Sequence, residues 1–208
     1  SRRLLAALLL LAVLLPAGWS IFRLTSGLPL IGPAPTATAI PPNIRRWSEL
    51  DNMPTALSAP AAAAFERTLV IIGGKSASGT SRDCLQYNIQ SNTWETRSPK
   101  PTAVDLAGAV LLGEGIYVPG GRAADGSPTR QLEVYLPRTD EWQTRAPLPQ
   151  ALYAYGLAAF EGRLYLFGGW DGQNYLDSVY IYDPQTDQWL EGQAMPYAAA
   201  YLAASSAA

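Results

Sequence analysis

A set of glycine and aromatic landmarks recurs three times along this chain at nearly constant spacing. Each copy has a Gly-Gly pair, then a tyrosine, then a tryptophan 7 residues after the tyrosine and 21 or 22 residues after the first glycine. The copies are Gly73, Gly74, Tyr87 and Trp94; Gly120, Gly121, Tyr135 and Trp142; and Gly168, Gly169, Tyr182 and Trp189. A repeat of 47 to 48 residues with these landmarks is typical of a propeller blade, which is a four-stranded sheet.

Short apolar runs around each Gly-Gly pair predict the strands of a blade. The first strands are expected at Ala61 to Phe65, Ala107 to Leu112 and Gly156 to Phe160, and a polar turn then leads into a bulkier second strand. The third strand carries the tyrosine and the fourth begins at the tryptophan. We interpret all twelve landmark residues as structural, because the glycines permit backbone geometry that a side chain forbids and the aromatic rings fill the space between blades.

The repeat resembles the kelch repeat, in which a strand ending in Gly-Gly is followed by a Tyr, a Trp and a closing pair such as Met-Pro. The closing pairs here are Met53-Pro54, Lys100-Pro101, Leu148-Pro149 and Met195-Pro196. The resemblance covers residues 47–208 and implies an all-β, kelch-type β-propeller. Many kelch repeats carry an arginine shortly after the closing proline, whereas this chain has Thr102-Ala103-Val104 and Gln150-Ala151-Leu152, which indicates a divergent bacterial branch.

The repeat also predicts how much of a ring these residues supply. Each closing proline lies 19 residues before the next Gly-Gly pair, so a fourth unit beginning at Pro196 should reach its glycines beyond Ala208. Trp47 is expected on a fourth strand that completes the last blade of a closed ring. We therefore expect about three blades plus the start of a fourth, as part of a six- or seven-bladed ring in a longer polypeptide.

The amino-terminal residues predict a membrane anchor. Leu4 to Phe22 form an uncharged run of 19 residues, which as a helix spans about 28 Å, enough for a bilayer core. We predict a transmembrane helix at residues 1–23 and a proline-rich linker at 24–46. Arg2 and Arg3 precede the span, so the positive-inside rule places the amino terminus in the cytoplasm and the propeller in the periplasm or outside the cell. A cleavable signal peptide is the alternative.

Composition excludes several kinds of chemistry within these residues. The chain has no histidine, which removes imidazole bases and imidazole metal ligands, and its net charge of −2 without a basic cluster disfavours nucleic-acid binding. The single cysteine, Cys84, aligns with apolar strand positions and is interpreted as a small buried hydrophobic residue. No pair of carboxylates recurs at a distinctive spacing. We expect no catalytic residue, no metal and no cofactor.

The loops after each Gly-Gly pair and after each closing proline are expected on one face, because strand direction alternates through a blade. These loops are longer and richer in aromatic and charged residues than the turns on the other face, as binding surfaces usually are. The candidate binding residues are Arg82, Arg122, Arg130, Trp170, Asp171 and Tyr175.

Two function classes are consistent with this sequence. The first is a membrane-anchored protein-protein interaction module, an accessory subunit of a bacterial membrane complex, with other subunits as partners and the lipid bilayer contacted through residues 4–22. The second is a carbohydrate-binding or sugar-modifying, epimerase-like propeller on the cell exterior. Fold alone does not choose between them.

Overall fold

A computed structural model describes residues 48–205, and all regular structure within them is β-strand. The predicted transmembrane helix, the linker, Trp47 and Ala208 lie outside this range. Within it, no helix is long and apolar enough to cross a membrane. The prediction of an all-β fold is therefore confirmed for residues 48–205.

Twelve of the fourteen strands form three four-stranded antiparallel sheets, each a meander in chain order. The first sheet contains β1 (Ala61–Phe65), β2 (Thr68–Ile72), β5 (Cys84–Asn88) and β6 (Thr93–Thr96), with a two-stranded hairpin of β3 (Lys75–Ser76) and β4 (Gly79–Thr80) inserted after β2. The second contains β7 (Val110–Leu112), β8 (Gly115–Pro119), β9 (Leu132–Leu136) and β10 (Glu141–Arg145). The third contains β11 (Gly156–Phe160), β12 (Arg163–Trp170), β13 (Tyr175–Asp183) and β14 (Gln188–Glu191). This is the sheet architecture of propeller blades.

One predicted strand is shorter than expected, since β7 begins at Val110 rather than at Ala107. Continuing the pairing of Val110 with Tyr117 would set Gly108 opposite Pro119, which has no N–H to donate. The Pro119 carbonyl instead accepts a hydrogen bond from the hydroxyl of Tyr155, which directly precedes β11 of the third sheet, and Gly108 N–H donates to that same hydroxyl at 3.0 Å. A contact from the next sheet thus replaces the missing strand pairing.

Glycine is required at the first position of each Gly-Gly pair because the linker to the next sheet passes directly over it. Gly73, Gly120 and Gly168 have φ angles of 63°, 59° and 57°. A Cβ atom at Gly73 would lie 2.4 Å from the Val104 carbonyl oxygen, and the other two glycines have equivalent neighbours at 2.6 and 2.4 Å. Any side chain at these positions would clash with backbone.

The hydrophobic core lies between successive sheets. Between the first and second sheets, the buried side chains of Val70, Ile72 and Cys84 pack in one cluster with Ile116 and Tyr135. A second cluster joins the second and third sheets, and its buried members are Tyr117, Leu132, Val134, Leu164 and Tyr182. Each sheet therefore depends on a neighbour to bury its apolar face.

A hydrogen-bonded clasp joins each sheet to the segment before it, and we call it the Tyr-Asx-Trp clasp. In the second sheet, Tyr135 Oη and Ser98 N–H both donate to Asp140 Oδ1, at 2.7 and 2.9 Å, while Trp142 Nε1 donates to the Ser98 carbonyl at 2.8 Å. Both polar groups of the Ser98 backbone are thus held by the following sheet. The first sheet makes the same contacts with Tyr87, Asn92, Trp94 and Asp51, and the third with Tyr182, Asp187, Trp189 and Ala146.

The clasp carboxylate of the second sheet is ionised through a balance of opposing effects. Burial alone would raise the pKa of Asp140, but the hydrogen bonds from Tyr135 and Ser98, together with the nearby guanidinium of Arg97, outweigh burial and hold that pKa below its ordinary value. In the third sheet, the hydrogen bond from Tyr182 is the main cause that lowers the pKa of Asp187. Both residues are therefore acceptors at neutral pH.

The linkers between sheets are connected by a second series of backbone hydrogen bonds, which we call the belt. Leu106 N–H donates to the Ala59 carbonyl at 3.1 Å, Ala154 N–H donates to the Leu106 carbonyl at 2.9 Å, and Tyr201 N–H donates to the Ala154 carbonyl. The four residues have φ angles between 48° and 58°, a region that L-residues rarely adopt. Tyr201 occupies the position that begins a further repeat, so residues 195–205 follow the path of a fourth unit.

We predict that replacing Asp140 with alanine destabilises the fold by about 2 kcal/mol, because Ser98 N–H and Tyr135 Oη lose a charged acceptor. Asp140→Asn is the matched control, since Asn92 makes the same contacts in the first sheet, and it should stay within about 1 kcal/mol of the wild type. Urea unfolding followed by tryptophan fluorescence measures both variants. Equal destabilisation by alanine and asparagine would show that the acceptor oxygen does not matter.

Candidate functional site

Three equivalent rows of side chains lie on the face formed by the loops after the Gly-Gly pairs, which we call the loop face. Antiparallel backbone pairing holds three residues of each row side by side. The first belongs to the linker before the sheet, the second follows the Gly-Gly pair, and the third lies further along the same loop. The rows are Ser58, Lys75 and Thr80 in the first sheet; Asp105, Arg122 and Pro128 in the second; and Tyr153, Trp170 and Tyr175 in the third. Each row begins one residue before a belt residue.

The second row holds a fixed cation. Arg122 Nε and Nη2 donate to the two carboxylate oxygens of Asp105 at 2.8 and 2.7 Å, and the Arg122 guanidinium lies 5.8 Å from the centre of the Tyr153 ring. The Asp105 side chain is 2 % exposed, whereas that of Arg122 is 33 % exposed. The hydrogen bond to Asp105 is the main cause that raises the pKa of Arg122. A charged, bidentately held guanidinium is therefore presented to solvent.

The third row is aromatic throughout. Tyr153 and Trp170 exchange two backbone hydrogen bonds of 3.1 and 2.8 Å, and Trp170 is paired in turn with Tyr175. The Trp170 and Tyr175 rings meet edge to face with their centres 4.8 Å apart, and Tyr175 is 57 % exposed. Cross-strand neighbours of this kind stand on the same side of a sheet, so the aromatic pair of the half-buried Trp170 and the exposed Tyr175 lies beside the buried Tyr153, and we call the three residues the aromatic strip.

Asp171 shapes the loop that follows Trp170. Its Oδ1 accepts hydrogen bonds from Gln173 N–H and Asn174 N–H at 2.8 and 2.7 Å, while its Oδ2 accepts one from Gln150 Nε2 at 3.2 Å. The backbone hydrogen bonds from Asn174 and Gln173, led by that from Asn174, lower the pKa of Asp171. The carboxylate thus fixes the turn that returns the chain to Tyr175.

Arg82 and Arg130 occupy equivalent positions in the first and second sheets and make the same backbone contact. Arg82 Nε donates to the Lys100 carbonyl and Arg130 Nε donates to the Leu148 carbonyl, both at 2.7 Å. These carbonyls belong to the closing pairs, so both arginines hold the end of one sheet's chain against the loop of the same sheet. Their role as binding residues stays a prediction.

The sequence candidates therefore fall into two groups. Arg122, Trp170 and Tyr175 lie in the rows, and Asp171 supports one of them. The residue missing from the candidates is Lys75, which lies two residues after Gly73, as Arg122 and Trp170 follow Gly120 and Gly168. That shared offset is the signal that could have found it.

Among residues 48–205, no three Asp, Glu or Cys side chains are grouped to hold a metal ion. The buried pair of Lys100 and Glu133 lies inside the protein, with side chains 0 % and 4 % exposed. Its Thr102 partner donates to Glu133 Oε1 at 2.9 Å. This cluster packs two sheets together and is closed to a substrate.

Consecutive four-stranded meanders that pack face to face through a repeated clasp define a repeat protein of the β-propeller class. The model of the KLHDC2/KLHL20/DRC7 Kelch-repeats domain matches residues 61–207. The chain belongs to the kelch-repeat family, as its resemblance implied.

Similar curated proteins include Kelch-like protein 36 of Bos taurus, which is 28 % identical over 172 residues, covering 78 % of this chain and 28 % of that protein. Kelch-like protein 38 of Mus musculus is 31 % identical over 157 residues, covering 73 % of this chain and 26 % of that protein. The chain thus spans about a quarter of the length of these relatives. These relatives are mammalian, and the assignment to a bacterial branch stays a prediction.

We predict that Arg122→Ala destabilises the fold by about 1–3 kcal/mol, because it leaves the buried Asp105 carboxylate without its partner. Lys75→Ala removes an exposed side chain at the equivalent position and should change stability by less than about 0.5 kcal/mol. Removing Asp105 together with Arg122 should recover part of the loss. Equal urea midpoints for the two single variants would contradict the prediction.

Proposed function

We propose that this chain is a protein-protein interaction module whose loop face binds a partner protein. The observation that carries the proposal is the set of three rows: one backbone arrangement presents a polar row with the Lys75 cation, a row with the Asp105–Arg122 ion pair and an aromatic row with Trp170. A scaffold that repeats while its exposed side chains differ is suited to recognising an extended and chemically varied surface.

The third row has the composition of an interaction hot spot. Tyrosine, tryptophan and arginine are the residues most enriched among hot spots, and Trp170, Tyr175 and Arg122 lie in neighbouring rows. Their conformations are restricted before binding, because Asp105 holds the arginine and backbone pairing holds the aromatic strip. Such preorganisation lowers the entropy cost of association.

We further propose that residues 4–22 anchor the module in a membrane, where it serves as an accessory subunit of a bacterial complex. The support is the uncharged run of 19 residues followed by a linker with five prolines. Anchoring raises the effective concentration of the loop face at partners in the same membrane, so a modest surface is sufficient for stable association. Arginines before the span favour a periplasmic or extracellular propeller.

The aromatic row also supports a second candidate, a carbohydrate ligand. Tyr175 is 57 % exposed next to Trp170, and Gln150 and Asp171 lie at the same end of the sheet with polar groups that a sugar hydroxyl could reach. The protein partner is favoured because the charged second row adjoins the aromatic one, with the Arg122 guanidinium 5.8 Å from the centre of the Tyr153 ring.

We predict that Trp170→Ala and Tyr175→Ala weaken capture of the partner complex at least tenfold, since each removes a hot-spot ring from the aromatic row. The measurement is affinity purification of the tagged full chain from membranes, with quantitative mass spectrometry of the copurified subunits. Phe160→Ala is the matched control, because Phe160 is 49 % exposed but lies at the turn end opposite the loop face. Loss of subunits with the control as much as with the loop-face variants would overturn the assignment. Release by a free oligosaccharide would favour the carbohydrate ligand.

We predict that the propeller is protected from protease added to the cytoplasmic side of inverted membrane vesicles. The expected result is an intact fragment that begins near Arg23 and becomes digestible only after the vesicles are opened. Digestion in closed vesicles would show the opposite orientation. Recovery of the chain in the aqueous fraction after carbonate extraction would show that residues 4–22 are not an anchor.

A further inference from the structure

An open groove lies between the second and third sheets, at the end opposite the loop face. Its volume is about 460 Å³. The lining consists of apolar side chains, turn glycines and a few polar groups: Leu112, Val134, Leu136, Pro184, Gly113, Gly115, Gly162, Tyr117, Gln143, Arg145 and, at the rim, Glu114. Apolar walls with a few convergent polar groups are typical of small-molecule sites.

The equivalent place between the first and second sheets is covered, which makes it an internal comparison. There Arg138 Nη2 bonds Glu66 Oε1 at 2.6 Å, and the Arg138 guanidinium lies 5.7 Å from the centre of the Phe65 ring. These three residues bridge the two sheets as a lid. One repeat further on, their positions are occupied by Gln185, Gly113 and Leu112, which are shorter or lack a side chain.

A further difference between the two interfaces lies in the strand beneath the lid. Thr68, which follows the turn in the first sheet, is replaced by Gly115 in the second. A Cβ atom at Gly115 would lie 2.6 Å from Val134 Cγ1, so the valine side chain occupies part of the space that Gly115 leaves. The groove therefore arises from smaller residues at four repeat positions.

The two interfaces also differ in the hydrogen bonds made by one equivalent arginine. Arg97 fills the first one, where its Nε donates to Tyr135 Oη at 3.0 Å and its Nη2 donates to the Pro137 carbonyl at 3.1 Å. Its repeat equivalent is Arg145, whose Nη2 donates within the described residues to the Gln143 amide oxygen at 2.8 Å. Arg145 thus lines the groove without sealing it.

The polar groups of the groove lie together near its apolar wall. Burial raises the pKa of Tyr117; the nearby positive charge of Arg145 opposes that effect and the negative charge of Asp187 adds to it, so the hydroxyl is a neutral donor beside a permanent cation. Gln143 is bonded to Arg145 and contributes a further amide N–H. Glu114 is exposed at the turn, and the Asp187 carboxylate near Arg145 is already occupied by hydrogen bonds from Tyr182 Oη and Ala146 N–H. Arg145 is therefore the cation that a ligand meets at the polar end of the groove.

We propose that this groove binds a small monocarboxylate with an apolar body. Arg145 pairs with the carboxylate, Tyr117 and Gln143 donate to its oxygens, and the apolar chain lies along Leu112 and Leu136. A guanidinium matches the planar carboxylate, whereas a neutral alcohol of the same length gains only the apolar contacts. The site is independent of the loop face, because it lies at the other end of the sheets.

The test is titration of the full chain with sodium hexanoate, compared with hexan-1-ol, by saturation-transfer NMR. Hexanoate should bind saturably and at least tenfold more tightly than hexan-1-ol. Arg145→Gln should weaken hexanoate at least tenfold and leave hexan-1-ol unchanged, while Arg145→Lys should retain part of the preference. Arg67→Gln, in the equivalent turn of the first sheet, is the matched control and should change neither.

A second set of variants closes the groove without altering its polar groups. Leu112→Phe restores the ring found at Phe65, and Gly113→Glu with Gln185→Arg rebuilds the lid of the first interface. Both should remove binding of hexanoate and hexan-1-ol. Leu112→Phe should leave the melting temperature unchanged, whereas the lid variant should lower it slightly, because Gly113 has a φ angle of 61° that strains a side-chain-bearing residue. Non-saturable binding, equal affinity for acid and alcohol, or binding that survives the rebuilt lid would each overturn the proposal. Trp170→Ala should not affect hexanoate binding. A failure of the groove proposal is therefore distinguishable from a failure of the loop-face proposal.

Discussion

The Tyr-Asx-Trp clasp is the interaction on which the rest of the architecture depends. It holds one backbone residue of the preceding segment by both of its polar groups, as Ser98 is held by Asp140 and Trp142. The same contacts bring the tyrosine ring against the tryptophan, with centres 4.9 to 5.1 Å apart in the three sheets. Buried backbone groups need partners, so this contact fixes the spacing between sheets as well as their order.

This clasp explains why so much of the fold could be predicted from the sequence. The tyrosine lies on the third strand and the tryptophan directly opposite it on the fourth, so the seven-residue gap is set by the turn between them. The residue that accepts the clasp hydrogen bonds also recurs, always two residues before the tryptophan. The repeat did not predict its role, because Asn92 and Asp140 are different residue types. The start of β7 could not be predicted, since it depends on a hydroxyl from the next sheet.

The candidate site was partly predictable for a related reason. Arg122 and Trp170 each follow a Gly-Gly pair, and the alternating strand direction within one repeat predicts that the loops after these pairs share one face. The pairing of Arg122 with Asp105 depends on the linker from the preceding sheet. The groove at Arg145 depends on Gln185 of the third sheet, which is shorter than the arginine at the equivalent position of the second sheet. Contacts between repeats, and spaces left by missing atoms, have no local sequence pattern.

The rows of the loop face have a consequence for how such a protein diversifies. Backbone hydrogen bonds hold each row in place, and these bonds are indifferent to the side chains they carry. Serine, aspartate and tyrosine therefore occupy one geometric position in successive sheets without altering the scaffold. A lineage of such chains can exchange the chemistry of one row while its neighbours stay constant, so recognition evolves in steps the size of a single repeat.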